Sequence, residues 1–365
     1  MKLLHLGLST TVLGLAVATP VAKRAVTDAD ILNYALTLEH LEAAFYEQGL
    51  ANYTQEDFIK AGFQDPFYTN LQQVAADEKS HEEFLTQALS GAGASPVERC
   101  TYAFPVTDVK SFLTLANVLE GVGVSAYLGA AAHIMNDTYL TAAGSILTVE
   151  ARHSAYLRAA MGELPAAQPF DNPLDFNEVY TVASPFIASC PSSNQALPVK
   201  AFPSLMMSPM MSTMTGQTVH LVAGEGMNSA DDIHAAFITV TGPVWAPVTS
   251  QGDGKFTVTI PKGVMGQSYV VLTKGNTQAT DDNIVAGPAI LEVGRKSTGM
   301  SGSMSAMPTM SSMPTGSMAS GTPTMKASAS MSGTGSPMFT GGANRREIST
   351  AGVAMAGCLG LFVFG

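Results

Sequence analysis

The sequence predicts a multidomain α and β fold, in which a four-helix bundle with a short fifth helix is followed by a small antiparallel β-sandwich. Three successive zones of composition support this division. Residues 27–190 are rich in Ala and Leu with helical periodicity, residues 195–295 hold β-branched runs between Gly and Pro turns, and residues 296–341 hold little besides Ser, Met, Thr, Gly and Pro. The last zone cannot bury a core and is expected to form a disordered, O-glycosylated stalk.

Both ends of the chain have the features of processing signals. Residues 1–18 combine a basic start, an apolar run and an Ala-Val-Ala end, which is the pattern of a secretory signal peptide. The pair Lys23-Arg24 is either the end of a propeptide that closes at residue 24 or an ordinary exposed basic pair. Residues 342–365 contain a polar spacer and an apolar tail, which predicts GPI attachment at Gly341. We therefore expect a secreted protein held at the cell surface, on the membrane or the cell wall, by its lipid.

Charge and cysteine content agree with this route. Removing both ends takes away five of the 18 basic residues and one of the 29 acidic ones, leaving 13 against 28 and a formal charge of −15. Such a charge disfavours nucleic acid as a partner. Cys100 and Cys190 are the cysteines that remain, and an even pair in a secreted chain predicts a disulfide. Sequons at Asn52 and Asn136 predict N-glycosylation.

Capping signals and Gly or Pro breaks mark the helices in order. The predicted helices cover about residues 27–49, 66–91, 108–133, 137–162 and 173–184. The first follows the capping-box spacing of Thr27 and Asp30. The second is expected to use Asp65 as its cap, with Pro66 at the first helical position, and the fifth to use Asn172.

The connections between the helices predict how they are arranged. The third and fourth helices are separated by only a few residues, so they should be packed neighbours. Residues 92–107 join the second helix to the third, and an extended segment of that length reaches about 50 Å, enough to cross a bundle from end to end. A bundle with one such crossover is one of the known four-helix topologies.

The second zone predicts strands. Runs such as TVHLVAG, AFITVTGPVW, KFTVTI, SYVVLT and AILEV alternate with turn residues between positions 195 and 295. Five or more short strands at this spacing are typical of a small antiparallel sandwich.

A repeated set of polar residues lies within the predicted helices. The segments ADEKSHEE and VEARHSAY each contain Glu-x-x-His, which pairs Glu78 with His81 and Glu150 with His153. The segments LEHLEAAFY and LEGVGVSAY each place a Glu seven residues before a Tyr. These residues are Glu39 with Tyr46 and Glu120 with Tyr127. The order Glu, Glu-x-x-His, Glu, Glu-x-x-His, with one element on each helix, is an internal repeat of a helix pair.

Helical periodicity places all four glutamates on apolar faces. At about 100° per residue, Leu32, Ala35 and Ala43 lie within about 40° of Glu39, and the other three glutamates have similar surroundings. Buried unpaired carboxylates cost several kcal/mol each, so four together need compensation. Two divalent cations would balance their charge, and two imidazoles would complete a di-iron or di-manganese carboxylate site. Solvated helix charges remain the alternative for a single Glu-x-x-His pair, but they explain six ordered residues poorly.

The segments ILNYALTLEHLEAAFY, AADEKSHEEFL, LANVLEGVGVSAY and TVEARHSAYLRA resemble the ferritin-like domain of fungal secreted and stress-response proteins. That domain is related in plan to rubrerythrin, bacterioferritin and manganese catalase, and the resemblance covers about residues 27–190. It implies a site for two Fe or Mn ions. The implied ligands are Glu39 and Glu120 as terminal carboxylates, Glu78 and Glu150 as bridging carboxylates, and His81 and His153 as one nitrogen for each metal.

Other polar residues of the same segments have more than one interpretation. Tyr46 and Tyr127 lie two turns from the terminal ligands and are interpreted either as supporting or redox groups or as core aromatics. A further group is expected on the surface or behind the ligands. It consists of His40, Glu42, Glu82 and Glu83.

Methionines recur in two places. In the stalk Met304, Met307, Met310 and Met313 repeat every third residue, and residues 206–214 hold a denser cluster. Thioethers suit Cu(I), so copper binding is one interpretation. The other is a low-complexity stalk that tolerates methionine oxidation.

Two functions follow from these observations. The first is an extracellular di-metal redox protein, whose partners are a small oxidant such as O2 or peroxide, or metal ions such as oxidisable iron. The second is a non-enzymatic cell-wall protein in which the bundle and the sandwich are display modules on a glycosylated stalk. Six inward polar residues favour the first function, because a purely structural bundle gains nothing from them.

Overall fold

The computed structural model describes residues 26–208, 213–225, 227 and 232–294. The predicted signal peptide, stalk, GPI signal and Gly341 lie outside the described residues. An α-helical part precedes a β-sheet part, as the sequence predicts. The helices of the described chain are α1 Asp28–Asn52, α2 Gln55–Lys60, α3 Phe67–Gly91, α4 Val109–Ala130, α5 Asp137–Ala160 and α6 Phe176–Ala183.

Three of the long helices begin where a side chain can accept from the free N–H groups of the first turn. Thr27 and Asp30 form a capping box at the start of α1, as predicted, and Asp108 and Ser111 form one at the start of α4. Asn136 caps α5 through its side-chain oxygen. These contacts satisfy backbone donors that have no partner inside the helix, so they fix where each helix starts.

The start of α3 differs from the prediction. The helix begins after Pro66, which occupies the cap position without a side-chain hydrogen bond. Asp65, the predicted cap, instead accepts a hydrogen bond of 2.6 Å from Gln55 Nε2. Gln55 belongs to α2, a six-residue helix with its own capping box between Thr54 and Asp57. Helix α2 was not predicted, because one and a half turns carry too little periodicity to be recognised.

The predicted cap of the fifth helix is also wrong. Asp175, not Asn172, caps α6, and Glu178 completes the capping box. Asn172 Nδ2 lies 3.3 Å from the Gln267 carbonyl oxygen, so this side chain joins the end of the bundle to the sheet.

The helices pack in two pairs, α1 on α3 and α4 on α5, and α1 meets α4 between the pairs. The segment between α3 and α4 runs along α1. Near one end Asn33 Oδ1 accepts from Val97 N at 2.9 Å, and near the other the Phe45 and Phe104 rings lie 5.0 Å apart. Asn33 and Phe45 are separated by about 18 Å of helix. The segment therefore crosses the bundle lengthwise, as its length predicts.

Within the described chain, one stretch has the length and mean hydropathy of a membrane span. It is Val109–His133, which comprises α4 and the 3₁₀ turn after it, and 67% of its apolar window is buried. This stretch packs between α1 and α5 and carries Glu120. We therefore interpret it as the central helix of the bundle.

The strands of the described chain form a two-stranded and a seven-stranded sheet, both antiparallel. The order in the larger sheet is β3-β4-β7-β6-β5-β8-β9. The strands are β1 Thr101–Tyr102, β2 Ile187–Ser189, β3 Leu205–Met207, β4 Thr218–Ala223, β5 Ile233–Phe237, β6 Val244–Gly252, β7 Lys255–Thr259, β8 Gly266–Lys274 and β9 Ile284–Val293.

Strand β6 joins the two halves of the larger sheet. Its first half, to Pro247, pairs with β5, and its second half, from Val248, pairs with β7. Apolar side chains of both halves share one core, which includes Leu221 and Phe256 from one half and Leu272 from the other. The predicted sandwich is thus formed by one sheet, in which β6 pairs with β5 along its first half and with β7 along its second half.

The sheet rests on α4 and α5. Arg158 of α5 makes a two-pronged ion pair with Glu292 of β9, with N···O distances of 2.6 and 2.7 Å. Tyr269 OH donates to the Gly121 carbonyl oxygen of α4 at 3.0 Å. An added Cβ at Gly121 would lie 2.4 Å from the Gln267 side chain, so glycine permits this close approach.

A disulfide joins Cys100 to Cys190, the predicted pair. Each cysteine lies next to a strand of the two-stranded sheet, in which β1 pairs with β2. The bond therefore links the crossing segment to the chain that leads from the bundle into the larger sheet.

Candidate metal centre

The helices place the six predicted ligands in the interior of the bundle. Helices α1 and α4 each contribute one Glu, and α3 and α5 each contribute a Glu and a His three residues apart, which lie on one face of a helix. All six side chains are buried. Their exposed fractions are 1% for Glu39, 0% for Glu78, 9% for His81, 0% for Glu120, 0% for Glu150 and 6% for His153.

The ligand atoms converge into two groups whose members lie within 4.8 Å of one another. One group is Glu39, Glu78, His81 and Glu150, and the other is Glu78, Glu120, Glu150 and His153. Glu78 and Glu150 belong to both groups, whereas each remaining residue belongs to one. The structure therefore brings all six residues together, in a pattern where two carboxylates can serve two ions at once.

The imidazoles face the carboxylates through Nδ1. His81 Nδ1 lies 3.4 Å from Glu39 Oε2, 3.3 Å from Glu78 Oε2 and 3.2 Å from Glu150 Oε1. On the other side His153 Nδ1 lies 2.8 Å from Glu78 Oε1, and it also approaches a Glu120 oxygen. The two ring centroids are 6.4 Å apart. The carboxylates thus occupy the space between two histidines.

Several of these atoms are buried without a hydrogen-bond partner among the described residues. They are Glu39 Oε2, Glu78 Oε1, Glu120 Oε2, both Glu150 oxygens and His153 Nδ1. Buried acceptors without partners are costly, whereas metal ligation uses those same lone pairs. The donor set of four carboxylates and two imidazoles is compatible with a site for two metal ions.

Comparison with known proteins identifies the helical region. The family model described as a ferritin-like domain matches residues 27–163. Residues 27–163 form a ferritin-like helical region, which is called the ferritin-like domain below. Protein rds1 of Schizosaccharomyces pombe (strain 972 / ATCC 24843) is 23% identical over 328 aligned residues, covering 73% of this chain and 81% of the relative. The crystal structure of the conserved hypothetical protein rv2844 from Mycobacterium tuberculosis is 20% identical, covers 39% of this chain and 96% of that chain, and has a TM-score of 0.31.

The surroundings of the cluster raise the pKa of four candidate ligands, Glu78, Glu150, His81 and His153. Burial and the nearby Glu120 charge raise the pKa of Glu78 to about 7, and burial with the Glu78 charge raises the pKa of Glu150 well above its usual range. Burial acts to lower the pKa of each histidine, but the surrounding carboxylates outweigh it and raise the pKa of His81 to about 12 and that of His153 to about 11. Protons held by these groups must leave when a metal binds.

The two predicted tyrosines each bind a terminal glutamate across the ferritin-like domain. Tyr127 OH of α4 donates to Glu39 Oε1 of α1 at 2.5 Å, and Tyr46 OH of α1 donates to Glu120 Oε1 of α4. Each phenol holds one carboxylate oxygen and leaves the other facing the cluster. Both tyrosines therefore orient ligands, which is a more specific position than that of an ordinary core aromatic.

The outer nitrogen of one histidine also has a carboxylate partner. His153 Nε2 lies 3.2 Å from Asp77 Oδ2, so this contact between α5 and α3 aims Nδ1 at the cluster. The position that corresponds to Asp77 in the repeat is Val149, which has no carboxylate. The two halves of the site are therefore not equivalent.

Glu42 is a fifth buried glutamate beside the cluster, so of the two predicted positions, on the surface or behind the ligands, the structure excludes the surface. It is 5% exposed. Burial, followed by the charges of Glu150 and other ligands, raises its pKa well above the usual range. An added Cβ at Gly123 would lie 2.8 Å from Glu150 Oε2 and 3.1 Å from Glu42 Oε1, so both oxygens converge there. Gly123 is the repeat counterpart of Glu42, three residues after Glu120. The alignment of Glu42 with a glycine in the other half of the repeat was the sequence signal that could have indicated a buried position for Glu42.

The remaining predicted positions are not part of the cluster. His40 is buried against the Val97 carbonyl, with its Nε2 at 3.0 Å from that oxygen. Asn52 is the last residue of α1. Met206 and Met207 point to opposite faces of β3, with Met207 in the sheet core and Met206 58% exposed, so they do not share a site. Met210 and Met211 of the same cluster and the stalk methionines lie outside the described residues.

Proposed function

We propose that the ferritin-like domain binds two iron or manganese ions and acts as an oxidoreductase toward a small oxidant, O2 or peroxide. The observation that carries this proposal is the sharing of Glu78 and Glu150 by the two ligand groups. Glu39 and His81 would hold one ion, Glu120 and His153 the other, and the shared carboxylates both. Iron or manganese supplies changes of oxidation state that these side chains cannot provide.

Other side chains of the domain position the ligands and shield the site from water. The phenols of Tyr46 and Tyr127 hold the terminal carboxylates in place, and Asp77 orients His153. Burial of the cluster keeps bulk water away from it. Two neutral imidazoles and four carboxylates give a net charge that two divalent ions cancel, so binding removes the repulsion among the buried charges.

We also propose that the protein works outside the cell, at the membrane or the wall. The disulfide between Cys100 and Cys190 supports this, because such bonds persist in oxidising compartments. The signal peptide and the GPI signal are predictions from the sequence. Fusion of a reporter between residues 24 and 25, followed by phospholipase release from intact cells, tests the anchor; a reporter that stays inside the cell would contradict it.

Metal stoichiometry tests the central proposal. The full-length protein should bind two Mn(II) ions. Glu39→Gln and Glu120→Gln should each retain about one, since each changes one group, and Glu150→Gln should retain fewer than one, since it changes both. Glu83→Gln is the matched control, because this residue is exposed on the helix that carries Glu78.

The metal content of the wild type and of Glu150→Gln decides between a metal centre and a display module. If the wild type binds no more metal than Glu150→Gln, the site is not a metal centre, and a display role for the domain is favoured. If two ions bind, assays of peroxide consumption and of Fe(II) oxidation on the wild type and Glu150→Gln identify the activity. If Glu150→Gln keeps both activities, a redox role of the site is contradicted.

A further inference from the structure

A cavity of about 580 Å³ lies between the ferritin-like domain and the larger sheet. Helices α1 and α4 form its floor, and strands β3 and β9 contribute its roof, which includes Met206, Pro288 and Ile290. Its volume is in the range of cavities that bind small organic molecules, and it greatly exceeds what O2 or peroxide needs. The sheet therefore encloses a space that the bundle alone does not have.

The cavity runs from the surface to the candidate metal centre. Along α4 its lining residues recur at helical spacing from Thr114, which is exposed, through the half-buried Val118 to the buried Gly123. Thr114 and Gly123 are nine residues apart along the helix, a distance of about 14 Å. At the inner end the lining includes Glu42 and Gly123, where a Glu150 oxygen also converges. The exposed Met206 lies at the outer rim.

The lining offers an apolar surface. Most of its side chains are aliphatic, among them Leu38, Leu41 and Val122. The hydroxyls of Ser111 and Thr181, which also line it, already donate to nearby backbone carbonyls, at 2.9 and 2.6 Å. An occupant gains from burying hydrocarbon here and finds few free polar partners along the way.

We propose that this cavity binds a linear apolar chain, such as the acyl chain of a fatty acid, with the chain end against the wall formed by Glu42 and Gly123. The polar head then remains at the mouth, near Thr114 and Met206, in contact with water. Binding stands on the cavity alone, whereas the position of the chain end beside two metal ions rests on the proposed function.

Binding is tested with two spin-labelled stearates, one with the nitroxide near the methyl end and one with it near the carboxyl end. Metal-free full-length protein should immobilise both labels. Val118→Trp and Leu115→Trp, which fill the cavity at two depths, should weaken binding at least tenfold. Gln87→Trp adds the same side chain at an exposed position of α3 and should bind as the wild type does. Thermal unfolding followed by circular dichroism shows which variants are folded.

Equal affinity in the wild type and in a folded cavity variant would overturn the proposal. Loading with Mn(II) then tests the orientation: the label near the methyl end should be broadened by the paramagnetic ions more strongly than the label near the carboxyl end. The reverse order would overturn the insertion of the methyl end. Metal content is measured on the same samples, so a protein that binds stearate but no manganese refutes the proposed function and leaves the cavity assignment standing.

Discussion

Replacement of Glu78 by Gln should stabilise the metal-free protein and destabilise the metal-loaded one. Burial and the Glu120 charge raise the pKa of Glu78 from 4.5 to about 7. One pKa unit is worth about 1.36 kcal/mol, so at pH 7 this carboxyl costs the metal-free fold about 3 kcal/mol relative to the unfolded chain. Because the folded pKa lies above the unfolded one, the cost grows as the pH rises from 4.5 and nearly vanishes below it. Gln carries no such cost.

Urea unfolding at pH 7 and at pH 4.5 measures this effect. Without metal, Glu78→Gln should exceed the wild type by up to about 3 kcal/mol at pH 7 and match it closely at pH 4.5. With saturating Mn(II) the order should reverse. Each of the two ions, at about 100 times its Kd, adds about 2.7 kcal/mol to the wild type, and together they outweigh the about 3 kcal/mol that the variant gains without metal. Glu83→Gln, exposed on the same helix, should change stability by less than about 0.5 kcal/mol. A Glu78→Gln protein that is equally destabilised with and without metal would refute the reasoning, because Glu78 would then be an ordinary structural group.

Three further predictions concern the same domain. At pH 7, loading with Mn(II) should release at least two protons, because His81 and His153, with pKa values of about 12 and 11, must lose theirs to bind metal. Calorimetry in two buffers of different ionisation enthalpy measures the number of protons released. Release of less than one proton would contradict this prediction. Tyr127→Phe removes the donor to Glu39 and should weaken Mn(II) binding about tenfold in a metal titration, whereas unchanged affinity would show that the phenol does not orient the ligand. Cys190→Ser opens the disulfide and should lower the free energy of unfolding by about 4 to 5 kcal/mol on the loop-entropy model, so a loss below about 1 kcal/mol would show that the bond constrains the unfolded chain little.

The long helices and the six clustered residues could be predicted from the sequence because each has a periodic signal. Glu39, Glu78, Glu120 and Glu150 lie on the apolar faces of their helices, and these faces are the ones that pack inside the bundle. The grouping that shares Glu78 and Glu150 was implied by resemblance, and the structure places these residues in both ligand groups.

Features that depend on contacts between distant segments could not be predicted. Glu42 lies off the centre of the apolar stripe of α1, and its burial follows from the packing of α4 at Gly123, which periodicity within one helix does not reveal. The cap of α6 was assigned to Asn172 because Asn is a good cap, but tertiary contact with Gln267 uses that side chain elsewhere. The change of partner along β6 likewise depends on how β5 and β7 approach it, and alternation of apolar residues carries no such information.

The disulfide places three candidate ligands inside a covalently closed ring and leaves the other three on the chain before it. Cys100 and Cys190 close a ring with a sequence separation of 90 residues, which contains α4, α5 and α6. Glu120, Glu150 and His153 belong to the ring, whereas Glu39, Glu78 and His81 belong to the chain that precedes it. A protease that cuts the exposed connection between α4 and α5, at Met135 for example, would therefore leave one molecule with every ligand still attached. Outside a cell, where proteases are common, such a nicked protein would keep both halves of the cluster in place by a covalent bond rather than by packing alone.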